Sequence, residues 1–186
     1  MPRKKVKRKH STFEIIGLAA IGIFVVGIIW LAFFTGQPQT QSQTPTTTSK
    51  LAPDFTLTDV DGKTFRLSDQ QGKVVVVEFM QTTCEYCKEQ EPRMRELRSR
   101  FSSQVVMVMI SLNPGDTEEI LRQYRDQNLV GWMAIRDTSG VSKAYNVQGT
   151  PTIFIIDRNG YISYQHVGFT DADSAPALIS EVSGLV

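Results

Sequence analysis

The sequence predicts an α/β domain, a central mixed β-sheet flanked by helices, preceded by a single transmembrane helix. Three observations carry that prediction. Residues 15–34 are twenty consecutive residues without a charged or strongly polar side chain. Residues 74–80 and 105–110 are nearly continuous apolar runs with a helical pattern between them, as expected of parallel strands buried on both faces. Residues 152–156 and 161–167 are strand-like runs joined by the tight turn Asp157-Arg158-Asn159-Gly160, which makes the second an antiparallel return.

The charge pattern divides the chain in the same way. Its 186 residues carry 20 Lys+Arg against 19 Asp+Glu, a net +1. Residues 1–14 hold six basic side chains and one acid, residues 15–49 hold none, and residues 50–186 hold 14 basic and 18 acidic ones. The mildly acidic remainder lacks the basic footprint of a nucleic-acid partner. Two cysteines exclude a disulfide-dense mini-protein and a four-cysteine zinc module.

Residues 1–14 read as a basic cytoplasmic segment, Arg3 to Lys9 holding the near side of the membrane. Residues 15–34, as a helix, rise about 30 Å, the thickness of a hydrocarbon core. The rival is a cleaved signal peptide, but its apolar core is shorter, and Leu31-Ala32-Phe33-Phe34-Thr35-Gly36 offers no good small-x-small site. An uncleaved signal-anchor is expected, with everything after Phe34 translocated. Residues 35–50 are rich in Thr, Gln, Pro and Ser and have no apolar side chain to bury, so they read as a flexible tether.

The folded domain is expected over residues 51–186. It opens with a hairpin, residues 55–58 and 64–67 alternating around an Asp59-Val60-Asp61-Gly62 turn. Ser68 and Asp69 suit a short helical turn. After the 74–80 strand, a helix over 84–101 shows Met94, Leu97 and Phe101 on one stripe and carries Pro92 inside it. After the 105–110 strand, a helix over 117–128 shows Ile120, Leu121 and Tyr124 on one face, with acids in its first turn. A short strand over 132–135 and a short helix over 139–145 follow. Leu178, Ile179, Val182 and Leu185 mark a closing amphipathic helix.

The chemistry concentrates at Cys84-Glu85-Tyr86-Cys87, just past a buried strand and at the start of a helix. Residues three apart on a first helical turn are neighbours, so the sulfurs can bond. Free amides and the helix dipole stabilise a thiolate there. The first cysteine is the more exposed, which makes Cys84 the nucleophile and Cys87, one turn deeper, the resolving thiol. A zinc half-site would need two more ligands, and the chain offers only His10 and His166, with His10 across the membrane. A purely structural disulfide closing so small a loop would add little stability. Glu78 is the odd residue of an apolar strand, and a buried carboxylate is rare without a reason. A Glu reaching an edge to pair with Lys73 or Lys88 is the structural alternative.

With these features the domain resembles the thioredoxin superfamily, most closely the membrane-anchored TlpA/ResA/CcmG-like thiol-disulfide oxidoreductases. The resemblance rests on Ala52-Pro53-Asp54-Phe55, the Asp61-Gly62-Lys63 hairpin, Leu67-Ser68-Asp69 and Lys73 to Phe79. It continues through the CxxC with Pro92 five residues on, then Ala144-Tyr145-Asn146-Val147, Gly149-Thr150-Pro151-Thr152 and Phe154 to Gly160. Residues from about 129 to 147 match the central insert of the subgroup. The resemblance implies a thioredoxin-like fold and no cofactor beyond a redox-active Cys84–Cys87 disulfide. It implies a cis Thr150–Pro151 bond against the CxxC, the Thr150 backbone pairing with an extended substrate segment. It implies that Glu78 shuttles a proton for Cys87.

It further implies partners: extracytoplasmic cysteine-containing proteins such as apocytochrome c as substrates, and a membrane thiol electron donor. Thr83 stands where the family usually has Trp, which removes an aromatic wall. Glu85 and Tyr86, between the cysteines, are the redox-tuning positions. A carboxylate at Glu85 raises the Cys84 thiol and points to a reducing protein.

Two rivals remain. A thiol peroxidase shares the Ala-Pro-Asp-Phe opening but needs Thr or Ser three residues before its cysteine, where Gln81 stands, and a proline where Val77 stands. A copper chaperone of this fold spaces its cysteines by three residues and adds a distant His, for which His166 is the one candidate.

Overall fold

The computed structural model describes residues 50–171 and 174–186. The expected basic segment, transmembrane helix and tether up to residue 49 lie outside the described residues. Among the described residues, no helix is long and apolar enough to cross a membrane.

A six-stranded mixed sheet forms the centre, in the order β1 (Lys50–Leu51), β8 (Tyr161–Val167), β7 (Thr152–Ile156), β4 (Val74–Met80), β5 (Val105–Ser111), β6 (Met133–Arg136). β4, β5 and β6 run parallel, while β7, β8 and β1 alternate antiparallel beside them. All seven residues of β4 are buried, which is why its sequence reads as an apolar run rather than an alternating one. The hairpin of β2 (Thr56–Thr58) and β3 (Thr64–Arg66) is a separate two-stranded sheet, tied to the main one by an Asp59–Ile135 bridge.

Alternation along β4 sorts its side chains onto two cores. Val74, Val76 and Met80 face the layer built by α1 (Glu85–Phe101), α2 (Glu118–Gln127) and α4 (Ala175–Leu185). Val75, Val77 and Phe79 face the hairpin and α3 (Val141–Ala144). In this second core Tyr145 packs edge-on against Phe55 and Phe154, and its hydroxyl donates to the Pro53 carbonyl at 2.9 Å. The central insert is thereby locked to the start of the domain.

Several details depart from the sequence expectation. Lys50, read as the end of the tether, pairs with Ile162 as part of β1. Ile120, expected on the buried face of its helix, is exposed, while Leu121 and Tyr124 are buried. The helix expected over 139–145 is only Val141–Ala144. The Asp137 carboxylate accepts from the amides of Gly140, Val141 and Ser142 at 2.8–2.9 Å and takes up the chain before the helix begins. The third strand of the parallel group is shifted one residue along, to Met133–Arg136.

Candidate active site

β4 and β5 end at the same edge of the sheet because they run parallel in register, Met80 opposite Ser111. The chain leaving β4 turns through Gln81–Thr83 and enters α1 at Cys84. Cys84 is the N-cap residue, with extended backbone, and its sulfur accepts from the Cys87 amide at 3.2 Å. One orphan amide of the helix start is thus directed at the sulfur that would carry negative charge. Cys84 and Cys87 are joined in a disulfide. Cys84 is partly exposed and Cys87 is fully buried. Attack from outside can therefore reach Cys84 and not Cys87.

The Thr150–Pro151 bond is cis, and the Thr150 carbonyl oxygen lies 3.6 Å from the Cys84 sulfur. The Pro151 carbonyl accepts from the Gly168 amide at 2.8 Å. Gly168 has φ +97°, in the left-handed region that favours glycine, and this brings the chain after β8 back to the loop. Thr152 Oγ1 donates to the Gly149 carbonyl at 2.7 Å. The structure thus gathers Cys84, Cys87, Thr150 and Pro151 at one edge of the sheet.

Glu78 is fully buried, and neither carboxylate oxygen has a hydrogen-bond partner among the described residues. It does not pair with Lys73 or Lys88. Burial first, and the Glu91 charge second, hold its carboxyl well above the ordinary value. Glu91 is also buried, and its Oε1 accepts from the Tyr124 hydroxyl at 3.2 Å. Burial pushes Glu91 up to about 7, although the Tyr124 hydrogen bond and the Arg95 charge pull the other way.

The loop before Cys84 is held from beneath by a third buried acid. Asp116 accepts from the Thr82 amide at 3.0 Å, the Thr82 hydroxyl at 2.6 Å, the Ser111 hydroxyl at 2.5 Å and Asn113 Nδ2 at 2.9 Å. Its position follows from topology, since the β5–α2 loop emerges beside the β4–α1 loop.

Residues 48–165 match the AhpC/TSA family. The chain belongs to that family. It is 34% identical to the thiol-disulfide oxidoreductase ResA of Geobacillus kaustophilus over 82% of each chain. It is 31% identical to ResA of Bacillus subtilis, over 84% of this chain and 85% of that one. A Chlorobium tepidum structure described as a thiol:disulfide interchange protein DsbE superposes with a TM-score of 0.67 at 28% identity, covering 74% of this chain and 96% of that one. The chain is a thioredoxin-fold thiol-disulfide oxidoreductase of the ResA/DsbE type, whose redox group is a cysteine pair rather than an external cofactor.

The two positions between the cysteines lie at the surface. Glu85 is exposed and ion-paired with Lys88 at 3.2 Å. Tyr86 is 63% exposed, its ring on the surface beside the disulfide. His166 has Nε2 3.2 Å from the Phe169 carbonyl, and its ring stacks on Tyr164. Among the described residues no group of three His, Cys, Asp or Glu could hold a metal ion. An apolar cavity of about 150 Å³ beside Leu51 and Leu67, and a larger one of about 590 Å³ beside Trp132 and Arg98, are lined by none of the site residues. Family chemistry at this site is surface chemistry on a protein disulfide.

Sequence reasoning missed Glu91 and Asp116. Glu91 had a usable signal: it lies four residues after Cys87 and three before Met94, on the buried stripe of α1. Asp116 had none, because its role depends on which loops the sheet brings together.

Proposed function

We propose that this chain is a membrane-anchored thiol-disulfide oxidoreductase that acts outside the cytoplasm and reduces disulfides in extracytoplasmic proteins such as apocytochrome c. The observation that carries the chemistry is the pairing of a reachable Cys84 sulfur, at a helix N-terminus and 3.6 Å from the Thr150 carbonyl, with a fully buried Cys87. The apolar run at 15–34 behind a basic tip supports the anchor and its orientation.

The reaction begins from the dithiol. The Cys84 thiolate attacks one sulfur of the substrate disulfide, forming a mixed disulfide and releasing the other substrate sulfur as a thiolate, which takes a proton from water. Cys87 gives its proton to the Glu78 carboxylate and attacks the Cys84 sulfur. The Cys84–Cys87 bond forms, the bond to substrate breaks, and the second substrate thiolate leaves and is protonated. Two electrons pass from the cysteine pair to the substrate. A membrane thiol donor then reduces the Cys84–Cys87 bond, Glu78 returning the proton to Cys87 as it leaves. Thr150 offers its backbone to the substrate strand beside Pro151, which has no N–H to compete. Tyr86 adds an exposed aromatic surface where that strand would lie.

Insulin reduction by the full chain in detergent tests the chemistry. The parent should reduce insulin with a thiol reductant, and Cys84→Ser should abolish turnover. Cys87→Ser should accumulate a mixed disulfide, whose isolation from cells names the substrate. An inactive parent overturns the proposal. A potential close to that of the strong periplasmic oxidants overturns the reducing direction. The thiol peroxidase alternative shares the AhpC/TSA family, and peroxide consumption by the parent with a thiol reductant would favour it.

A further inference from the structure

We propose that Glu91 sets the pH at which Glu78 exchanges a proton with Cys87, so that the two buried carboxyls titrate as one coupled pair and Glu91 is a positioning residue of the reaction. The inference rests on the reading of Cys87 as the resolving thiol.

The geometry begins with β4. Val76 and Met80 flank Glu78 on its own side of the strand, and both pack in the layer that contains Cys87, Met94, Tyr124 and Trp132. Glu78 therefore faces α1 and α2. On α1, Cys87, Glu91 and Met94 fall at i, i+4 and i+7, one buried stripe toward the same layer. Glu91 thus stands one turn below the resolving cysteine, against the face that carries Glu78. Three of the four carboxylate oxygens of the pair, both of Glu78 and Oε2 of Glu91, have no hydrogen-bond partner among the described residues. The fourth is held by the Tyr124 hydroxyl.

Two negative charges buried in one layer oppose each other, and the pair gives up its protons in two linked steps. Glu91 is the group positioned to ionise first. It alone has a hydrogen-bond donor, and Arg95 lies one turn further along α1, with its guanidinium donating to the Asn128 carbonyl at 2.6 Å. Once ionised, Glu91 raises Glu78, which burial has already pushed up. Tyr124 stays protonated, held above its ordinary range by burial and by the Glu91 and Glu78 charges. The other ionisable groups facing this layer are Asp116, from the loop before α2, and Tyr164 on β8 with Glu181 beside it. In the sheet Glu78 is flanked by Met109 and Ile153, which do not titrate.

The consequence is directional. The Glu91 charge keeps Glu78 protonated to higher pH, so that a proton is present beside Cys87 when a donor opens the disulfide. It delays, to higher pH, the point at which Glu78 can take the proton from Cys87.

The test uses the reduced full chain in detergent, mixed with 5,5′-dithiobis(2-nitrobenzoate) in a stopped-flow instrument. With only two cysteines in the chain, Cys84 attack releases one thionitrobenzoate and Cys87 resolution releases the second. Glu91→Gln keeps the shape and the acceptor for Tyr124 but not the charge. Its second phase should show an acid limb moved to lower pH, several-fold faster at a pH about one unit below the parent midpoint. The first phase should be unchanged, and Glu91→Asp should stay near the parent. An unmoved limb, or one moved to higher pH, overturns the inference. Should Glu91→Gln fail to fold, carbon-13 titration of the glutamate carboxyls in the parent decides. Two linked steps above the ordinary carboxylate range support the pair, and two independent ordinary steps overturn it. A parent that shows no second phase at all overturns the resolving role of Cys87 instead.

Discussion

The buried acids make the oxidised protein lose stability as pH rises from about 4.5 to about 7. Glu91 has an ordinary value of 4.5 and stands at about 7 in the fold. Between those values the unfolded chain has released the proton and the folded chain still holds it. The folded state binds more protons, so unfolding free energy falls with rising pH. The contribution is fully present below 4.5 and gone above about 7. At about 1.4 kcal/mol per pH unit, the loss from Glu91 is about 3 kcal/mol. Glu78 is raised as well and adds to the loss in the same direction. That is a large part of the 5–15 kcal/mol typical of a domain. Asp137 acts oppositely. Burial pushes it up, but the amides of Ser142, Val141 and Gly140 outweigh that and lower it, so its effect appears only below 3.8. Urea unfolding of residues 50–186, which carry the six-stranded sheet and both of its cores, can be followed by Trp132 fluorescence across this range. Glu91→Gln should flatten much of the slope. A profile that is level or rising between pH 4.5 and 7, or a slope unchanged in Glu91→Gln, would refute the reasoning.

Other outcomes follow from the same contacts. Glu78→Leu removes a buried carboxyl that has no hydrogen-bond partner among the described residues, so urea unfolding should show a gain of about 1–3 kcal/mol while resolution of the mixed disulfide slows. Asp116→Ala strands the Thr82 amide and the Ser111 hydroxyl, and should cost about 3 kcal/mol by the same measurement, with Asp116→Asn costing less. Glu85→Gln should change the rate of Cys84 alkylation by less than about twofold, because Glu85 is exposed and paired with Lys88; a larger change would support Glu85 as the tuning residue.

The parts of the fold legible in sequence are those where burial dictates composition. β4, β5 and β7 are buried on both faces, and apart from Glu78, Ser111 and Thr152 every residue in them is apolar. The start of α1 was legible because the cysteine spacing coincides with the end of such a strand. β1 was not legible: its two residues are exposed and exist as a strand only through backbone pairing with β8. Ile120 shows the limit of a helical period, since a residue beside the buried stripe can turn outward when its neighbours Leu121 and Tyr124 fill the layer. Lys88 was readable as a cation near two acids, but choosing Glu85 over Glu78 required knowing which of them faces solvent.

Glu91 and Asp116 carry a more general point about this site. Both come from largely polar stretches, Lys88-Glu89-Gln90-Glu91 and Asn113-Pro114-Gly115-Asp116. Each is buried because the sheet edge crowds α1, α2 and two loops against the C-terminal end of β4. Burial there has opposite consequences. Asp116 is surrounded by donors, and its hydrogen bonds fix the loop that presents Cys84. Among the described residues Glu78 and Glu91 have one donor between them, so their protons are held to higher pH. The site therefore places a fully hydrogen-bonded carboxyl under the loop of the attacking cysteine and two carboxyls raised by burial in the layer of the resolving one. That arrangement follows from the number of donors each carboxyl meets, a quantity that strand register and helix packing decide.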